Sequence, residues 1–210
     1  GNILAGYVAK RMGLPVAKLV LASNENDVLV EFFRTGRYRV RKTSEVHATS
    51  SPSMDISKAS NFERFVFDMV GRDPARLAAL WRDLDASGEL DLAASAAWDR
   101  VRSSGFVAGA STHADRLATI ERVAAEWNTV IDPHTADGVK VALDHREPGV
   151  PMICLESALP AKFAATIRAA IGRDPDRPPG YERIEALPQR FAVMDIDAAA
   201  VKDYIAAHAT

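Results

Sequence analysis

Apolar residues recur three and four positions apart at the start of the chain, where Ile3, Leu4, Tyr7 and Val8 run toward Lys10, Arg11 and Gly13. That spacing, closed by a basic pair and a glycine, predicts a capped helix. Lys18-Leu19-Val20-Leu21-Ala22-Ser23 is too short for a helix and is bounded by turn formers, so it predicts a buried strand of a parallel sheet. The polar run Asn24-Glu25-Asn26-Asp27 supplies caps, and the apolar positions of 28–34 continue at helical spacing toward Gly36. Residues 37–59 are rich in Ser, Thr, Lys and Arg with little periodicity, which predicts a long loop with one short strand over 38–40.

Residues 60–128 read as helical throughout, with stripes at Phe62, Phe65, Val66 and Met69, at Leu77, Leu80, Trp81 and Leu84, and at Leu117, Ile120, Ala124 and Trp127. No strand pattern interrupts them. Beyond Asp132-Pro133 the pattern predicts a helix over 134–145, a strand over 150–155, a helix over 160–171, a strand over 191–194 and a closing helix. The stretch 173–180, with three prolines, is linker-like. The alternation is that of an α/β chain with a helical insertion.

Composition narrows the function classes. In 210 residues, 48% hydrophobic and 26% charged, the formal charge is −2, which excludes a strong electrostatic bias toward nucleic acid or an anionic membrane. The basic cluster Arg34, Arg37, Arg39, Arg41 and Lys42 reads as a solvated face or as a contact for a small anion. Cys154 is the single cysteine, so an internal disulfide and a cysteine-based metal cluster are both excluded, and a cytoplasmic setting is expected. The five histidines lack metal-ligand spacing, and no metal is expected. No apolar stretch approaches the roughly 18–20 residues of a membrane span.

In open parallel sheets ligands gather beyond the carboxyl ends of the strands. Asn24-Glu25-Asn26-Asp27 and Glu156-Ser157-Ala158 each follow an expected strand, and each can serve as a ligand site or as a helix cap. Gly1-Asn2 precedes a helix whose free N–H groups suit a phosphate. Ser51-Pro52-Ser53-Met54-Asp55 offers hydroxyls and a carboxylate, or an ordinary capped turn. Asp132-Pro133-His134-Thr135 reads as a helix start, with a catalytic His134 as the sharper alternative.

Taken in order, the segments 1–10, 24–27, 51–55, 132–135 and 155–163 resemble the threonine synthase family, in its bacterial and fungal branch, across essentially the whole chain. The resemblance implies a pyridoxal-phosphate enzyme of fold type II that converts O-phosphohomoserine and water to threonine and phosphate. It implies three parts: 1–59 within the α/β cofactor-binding core, 60–128 as a helical insertion, and 129–210 as the C-terminal part of the core. Gly1 and Asn2 match the last two residues of the family's Gly-Asn-Phe-Gly-Asn phosphate loop, and Ser157 matches the hydroxyl residue facing the pyridine nitrogen. Asn24, Asn26, Asp27, Ser51, Ser53, Asp55, His134 and Lys162 are the candidates on the substrate side.

The family's Schiff-base lysine lies upstream of that loop. None of Lys10, Lys18, Lys42, Lys58, Lys140, Lys162 or Lys202 stands in its Phe-Lys-Asp setting. The resemblance is therefore to the C-terminal half, with the N-terminal half as its expected partner and with the chain inactive by itself. A dehydratase-like enzyme of the same fold type, acting on serine or threonine, and a non-catalytic half retained for binding or assembly are the alternatives.

Overall fold

The computed structural model describes residues 1–209, which form a unit of residues 1–176 and a smaller one from 177 onward. The first unit opens with α1 (Asn2–Arg11), β1 (Leu19–Ser23) and α2 (Val28–Thr35), followed by the short β2 (Arg37–Arg39). Two single 3-10 turns, Thr43–Glu45 and Pro52–Met54, interrupt the loop that follows. Then come α3 (Phe62–Met69), α4 (Pro74–Ser87), β3 (Glu89–Asp91), α5 (Ala96–Ser103) and β4 (Phe106–Ala110). The unit ends with α6 (His113–Trp127), α7 (Pro133–Asp144), a 3-10 turn at Pro160–Phe163 and α8 (Ala164–Ile171).

Local chemistry sets the helix ends. Asp73 accepts from the N–H groups of Ala75 and Arg76 ahead of Pro74, and Asp132 does the same for His134 and Thr135 ahead of Pro133. Each acid thereby satisfies donors that a helix start leaves free. Asn128 closes α6 in the left-handed conformation that asparagine tolerates.

β1 and β4 form a two-stranded parallel sheet, Leu19 opposite Phe106 through Ser23 opposite Ala110. β2 and β3 pair antiparallel, with Tyr38 opposite Leu90. The helical reading of 60–128 is thus corrected at two places, since β3 and β4 both lie inside it. β4 consists of Phe-Val-Ala-Gly-Ala, too short to show a period, and the preceding Gly105 at φ 88° ends the helical run. The expected strands over 150–155 and 191–194 do not form. A strand requires a ladder partner, and none of the described strands pairs with either run. Ile153 is 80% and Val193 89% exposed.

One hydrophobic core gathers α1 to α5 and both sheets around aromatic rings. Phe32 meets Phe62 edge-on at 4.6 Å, Tyr38 stacks on Phe62 at 4.3 Å, and Phe33 stacks on Phe106 at 4.7 Å. Tyr7 donates to Asp68 at 2.9 Å, and burial with this carboxylate pushes its phenol up to about 12. A second core joins Ile120 and Val123 of α6 to Ile131, Ala136 and Ile167. Against β4, α7 packs so closely that a Cβ on Gly109 would stand 2.7 Å from Val141 Cγ1.

A fully buried guanidinium ties these parts together. Arg116, in the first turns of α6, donates from Nη1 and Nη2 to the two carboxylate oxygens of Glu25, each at 2.9 Å. It also reaches Asp137 Oδ1 of α7 at 3.1 Å, Ser50 Oγ at 2.8 Å and the Ser111 carbonyl at 3.4 Å. Glu25 accepts the His113 N–H at 2.7 Å as well, so its carboxylate sits at the start of α6. Asp137 is fully buried, its Oδ2 has no hydrogen-bond partner among the described residues, and burial pushes its pKa up.

The smaller unit holds a 3-10 turn at Ile184–Ala186 and α9 (Ala198–His208), which Asp197 caps through the N–H groups of Ala199 and Ala200. No helix among the described residues is long and apolar enough to cross a membrane.

Removing Arg116 leaves Glu25 and Asp137 facing one another without a countercharge. Arg116→Ala is expected to lower the unfolding free energy of the larger unit by about 3–5 kcal/mol, read from a denaturant titration. Gly109→Ala forces β4 and α7 apart and is expected to cost about 1–3 kcal/mol in the same assay.

Candidate functional site

The loop leaving β1 is a tight polar turn. Ser23 Oγ donates to the Asn26 carbonyl at 3.0 Å, and Asn24 Oδ1 accepts the Asn26 N–H at 2.9 Å. The turn sends Glu25 toward Arg116 while Asn24 and Asn26 reach into the loop of residues 47–55.

Asn24 Nδ2 lies 2.8 Å from Asp55 Oδ1, 2.8 Å from Thr49 Oγ1 and 3.1 Å from Ser51 Oγ. Asn26 Nδ2 donates to Asp55 Oδ1 at 3.0 Å and to the His47 carbonyl at 2.9 Å, and its Oδ1 accepts the His47 N–H. Thr49 adds its hydroxyl and its N–H, both at 2.7 Å from the Asp55 carboxylate. Burial pushes the Asp55 pKa up, but the hydrogen bonds from Thr49, Asn24 and Asn26 outweigh it and hold the carboxyl below its ordinary range. Asn24 and Ser51 are fully buried. Two segments singled out in the sequence therefore meet in one network, where they fix each other's geometry.

Asp132 and His134 join the same region from α7. His134 Nε2 accepts the Ser53 N–H at 3.0 Å, and its Nδ1 stands 2.7 Å from Asp132 Oδ1. Phe163, next to Lys162, packs its ring edge-on against the His134 ring at 4.9 Å. Asn2 Nδ2 donates to Ser157 Oγ at 3.4 Å, which brings the two expected cofactor-binding segments into contact across 155 positions of chain. Gly1 is the N-cap of α1.

Asp27 stands apart. It is the N-cap residue of α2, and its carboxylate pairs with Arg41 at 3.2 Å, beside the Glu31–Arg41 pair at 2.6 Å. Among the described residues no group of histidine, cysteine, aspartate and glutamate side chains is arranged to hold a metal.

Sequence reading passed over Arg116, Thr49 and Asp137. One signal for the first was present: Arg116, Ile120 and Val123 are buried on a single α6 stripe, where a charge has no place unless it is paired. Thr49 and Asp137 carry no such mark, because their partners come from other elements.

Known proteins share much of this chain. A sequence model of the C-terminal domain of threonine synthase matches residues 135–205. The chain is 56% identical over 208 residues to the threonine synthase of Methylobacillus glycogenes, covering 99% of this chain and 44% of that protein. It is 51% identical to that of Corynebacterium glutamicum, covering 98% of this chain and 43% of the relative. Among solved structures, the pyridoxal-phosphate-bound threonine synthase of Brucella melitensis superposes with a TM-score of 0.87 at 40% identity, covering 99% of this chain and 44% of that one. The chain thus spans less than half the length of these relatives. The α/β expectation holds, with the fold of a type II pyridoxal-phosphate enzyme, and the chain belongs to the threonine synthase family, whose C-terminal part it matches.

Proposed function

We propose that this chain supplies the C-terminal part of a threonine synthase, which converts O-phosphohomoserine and water to threonine and phosphate. The observation that carries the reading is the superposition of 99% of the chain on a pyridoxal-phosphate-bound threonine synthase. The contact between Asn2 and Ser157 supports it locally.

The residues present suit pyridoxal phosphate. The amino end of α1 has free N–H groups and a partial positive charge for a phosphate, and the Asn2 amide adds a further donor. The Ser157 hydroxyl is a neutral partner for a pyridine nitrogen. When bound, the cofactor supplies an electron sink for carbanion chemistry. The chain's own part is positional: the Asn24, Asn26 and Asp55 network holds the loop at the carboxyl end of β1, where the substrate side of such a sheet lies. Lys162 and the Ser53 hydroxyl are further candidates on that side.

The Schiff-base lysine is assigned to the N-terminal half, the partner of this chain in the proposed enzyme. Lys18, Lys58 and Lys140 are engaged with Glu147, Asp85 and Asp144. Without that lysine the reacting groups are not held together, and the chain alone is inactive.

Two measurements test this. Phosphate release from O-phosphohomoserine is expected from the chain joined to its N-terminal half and not from the chain alone. Release by the chain alone, with one lysine trapped by borohydride in the presence of pyridoxal phosphate, would overturn the assignment of the lysine. Ammonia release from serine or threonine without phosphate release from O-phosphohomoserine would overturn the reaction. In the joined protein, Ser157→Ala is expected to weaken pyridoxal-phosphate retention about five- to tenfold in equilibrium dialysis, the effect of losing one hydrogen bond.

A further inference from the structure

The 3-10 turn Pro52–Met54 has a donor that it cannot satisfy itself. Met54 N–H donates to the Ser51 carbonyl at 3.1 Å and Asp55 N–H to the Pro52 carbonyl at 3.0 Å, while Pro52 has no N–H. The Ser53 N–H points out of the turn, and His134 Nε2 accepts it at 3.0 Å. That bond exists only where Nε2 carries a lone pair. The other ring nitrogen faces Asp132 Oδ1 at 2.7 Å, and an ionised carboxylate can only accept, so the ring proton sits on Nδ1.

Asp132 is in turn held by its own bonds. It is fully buried, its Oδ1 also accepts the His134 N–H at 2.9 Å, and its Oδ2 accepts the Thr135 hydroxyl at 2.5 Å and the Thr135 N–H at 3.3 Å. Burial pushes the Asp132 pKa up, but the bonds from His134 and Thr135 prevail and keep it below the ordinary carboxylate range.

We propose that Asp132 and His134 are paired positioning residues, in which Asp132 sets the imidazole tautomer and the free Nε2 holds the Ser51–Asp55 turn through the Ser53 N–H. Only what the turn serves, the substrate side of the enzyme, rests on the proposed function. The arrangement makes the turn sensitive to acid. Protonation of the imidazole places a second donor opposite the Ser53 N–H, and the turn loses its anchor. Asp132 is the charged group bonded to the ring, and Glu156 lies close enough to Asp132 for the two to repel. The turn at Pro160–Phe163 contributes the uncharged Phe163 ring, and the Ser53 side of the contact is a neutral amide.

The test is 15N spectroscopy of the imidazole nitrogens together with the exchange protection factor of the Ser53 amide, followed from neutral to acid pH. At neutral pH His134 is expected as the Nδ1–H tautomer, and acidification is expected to lower Ser53 protection about five- to tenfold as the ring protonates. His134→Gln keeps a carbonyl acceptor without a titrating ring, so protection is expected to survive and to lose its pH dependence. Asp132→Ala removes the acceptor of Nδ1–H together with the helix cap, so the preference for the Nδ1–H tautomer is expected to be lost and Ser53 protection to fall at every pH. An Nε2–H tautomer in the unaltered chain, or Ser53 protection that ignores the protonation of His134, would overturn the proposal, and neither reading needs a variant to fold. These readouts do not involve turnover, so absence of threonine synthase activity in the joined protein would sink the functional reading and leave this result standing.

Discussion

A guanidinium with no access to water must find its countercharge and its acceptors in the protein, and Arg116 finds them in four different segments. Desolvating such a cation is costly, and the cost is offset only when several partners converge with good geometry. Glu25, Ser50, Ser111 and Asp137 do so. They come from the loop after β1, the loop before the Pro52 turn, the end of β4 and the body of α7. The order of the candidate site follows from that convergence.

The consequence is a division of labour within four consecutive residues. Glu25 faces the buried arginine, Asn24 and Asn26 face Asp55 and Thr49, and Asp27 begins α2 beside Arg41. Each neighbouring side chain is committed to a different element, so the loop at the end of β1 has little freedom left. The same economy appears at the start of α7, where Asp132 is at once a helix cap and the partner of His134. Reacting groups work best when their supports are already paid for in the folded state.

What could be read in the chain was local. The helices at 2–11, 28–35, 133–144 and 164–171 show their caps and periods in the residues themselves, and so does the strand at 19–23. The strand at 106–110 was misread because a five-residue run ending in Ala-Gly-Ala is too short to show a period, and its identity comes from lying beside β1. The runs at 150–155 and 191–194 erred the other way. They have the apolar content of strands, but no described strand offers them a ladder, and a strand is defined by its partner.

The sequence by itself determined the helix caps, the α/β alternation, the lack of any strong charge bias and the family resemblance, because each depends on residue types at short range or on their order. The tertiary structure alone decided that Asn24 and Asn26 share one carboxylate with Thr49, that Asn2 meets Ser157, that His134 accepts from Ser53, and that Arg116 joins the loops. Those are contacts between segments that sequence keeps apart. Hydrogen bonds and ion pairs acquire their partners only when burial brings such segments together and leaves no water to take their place.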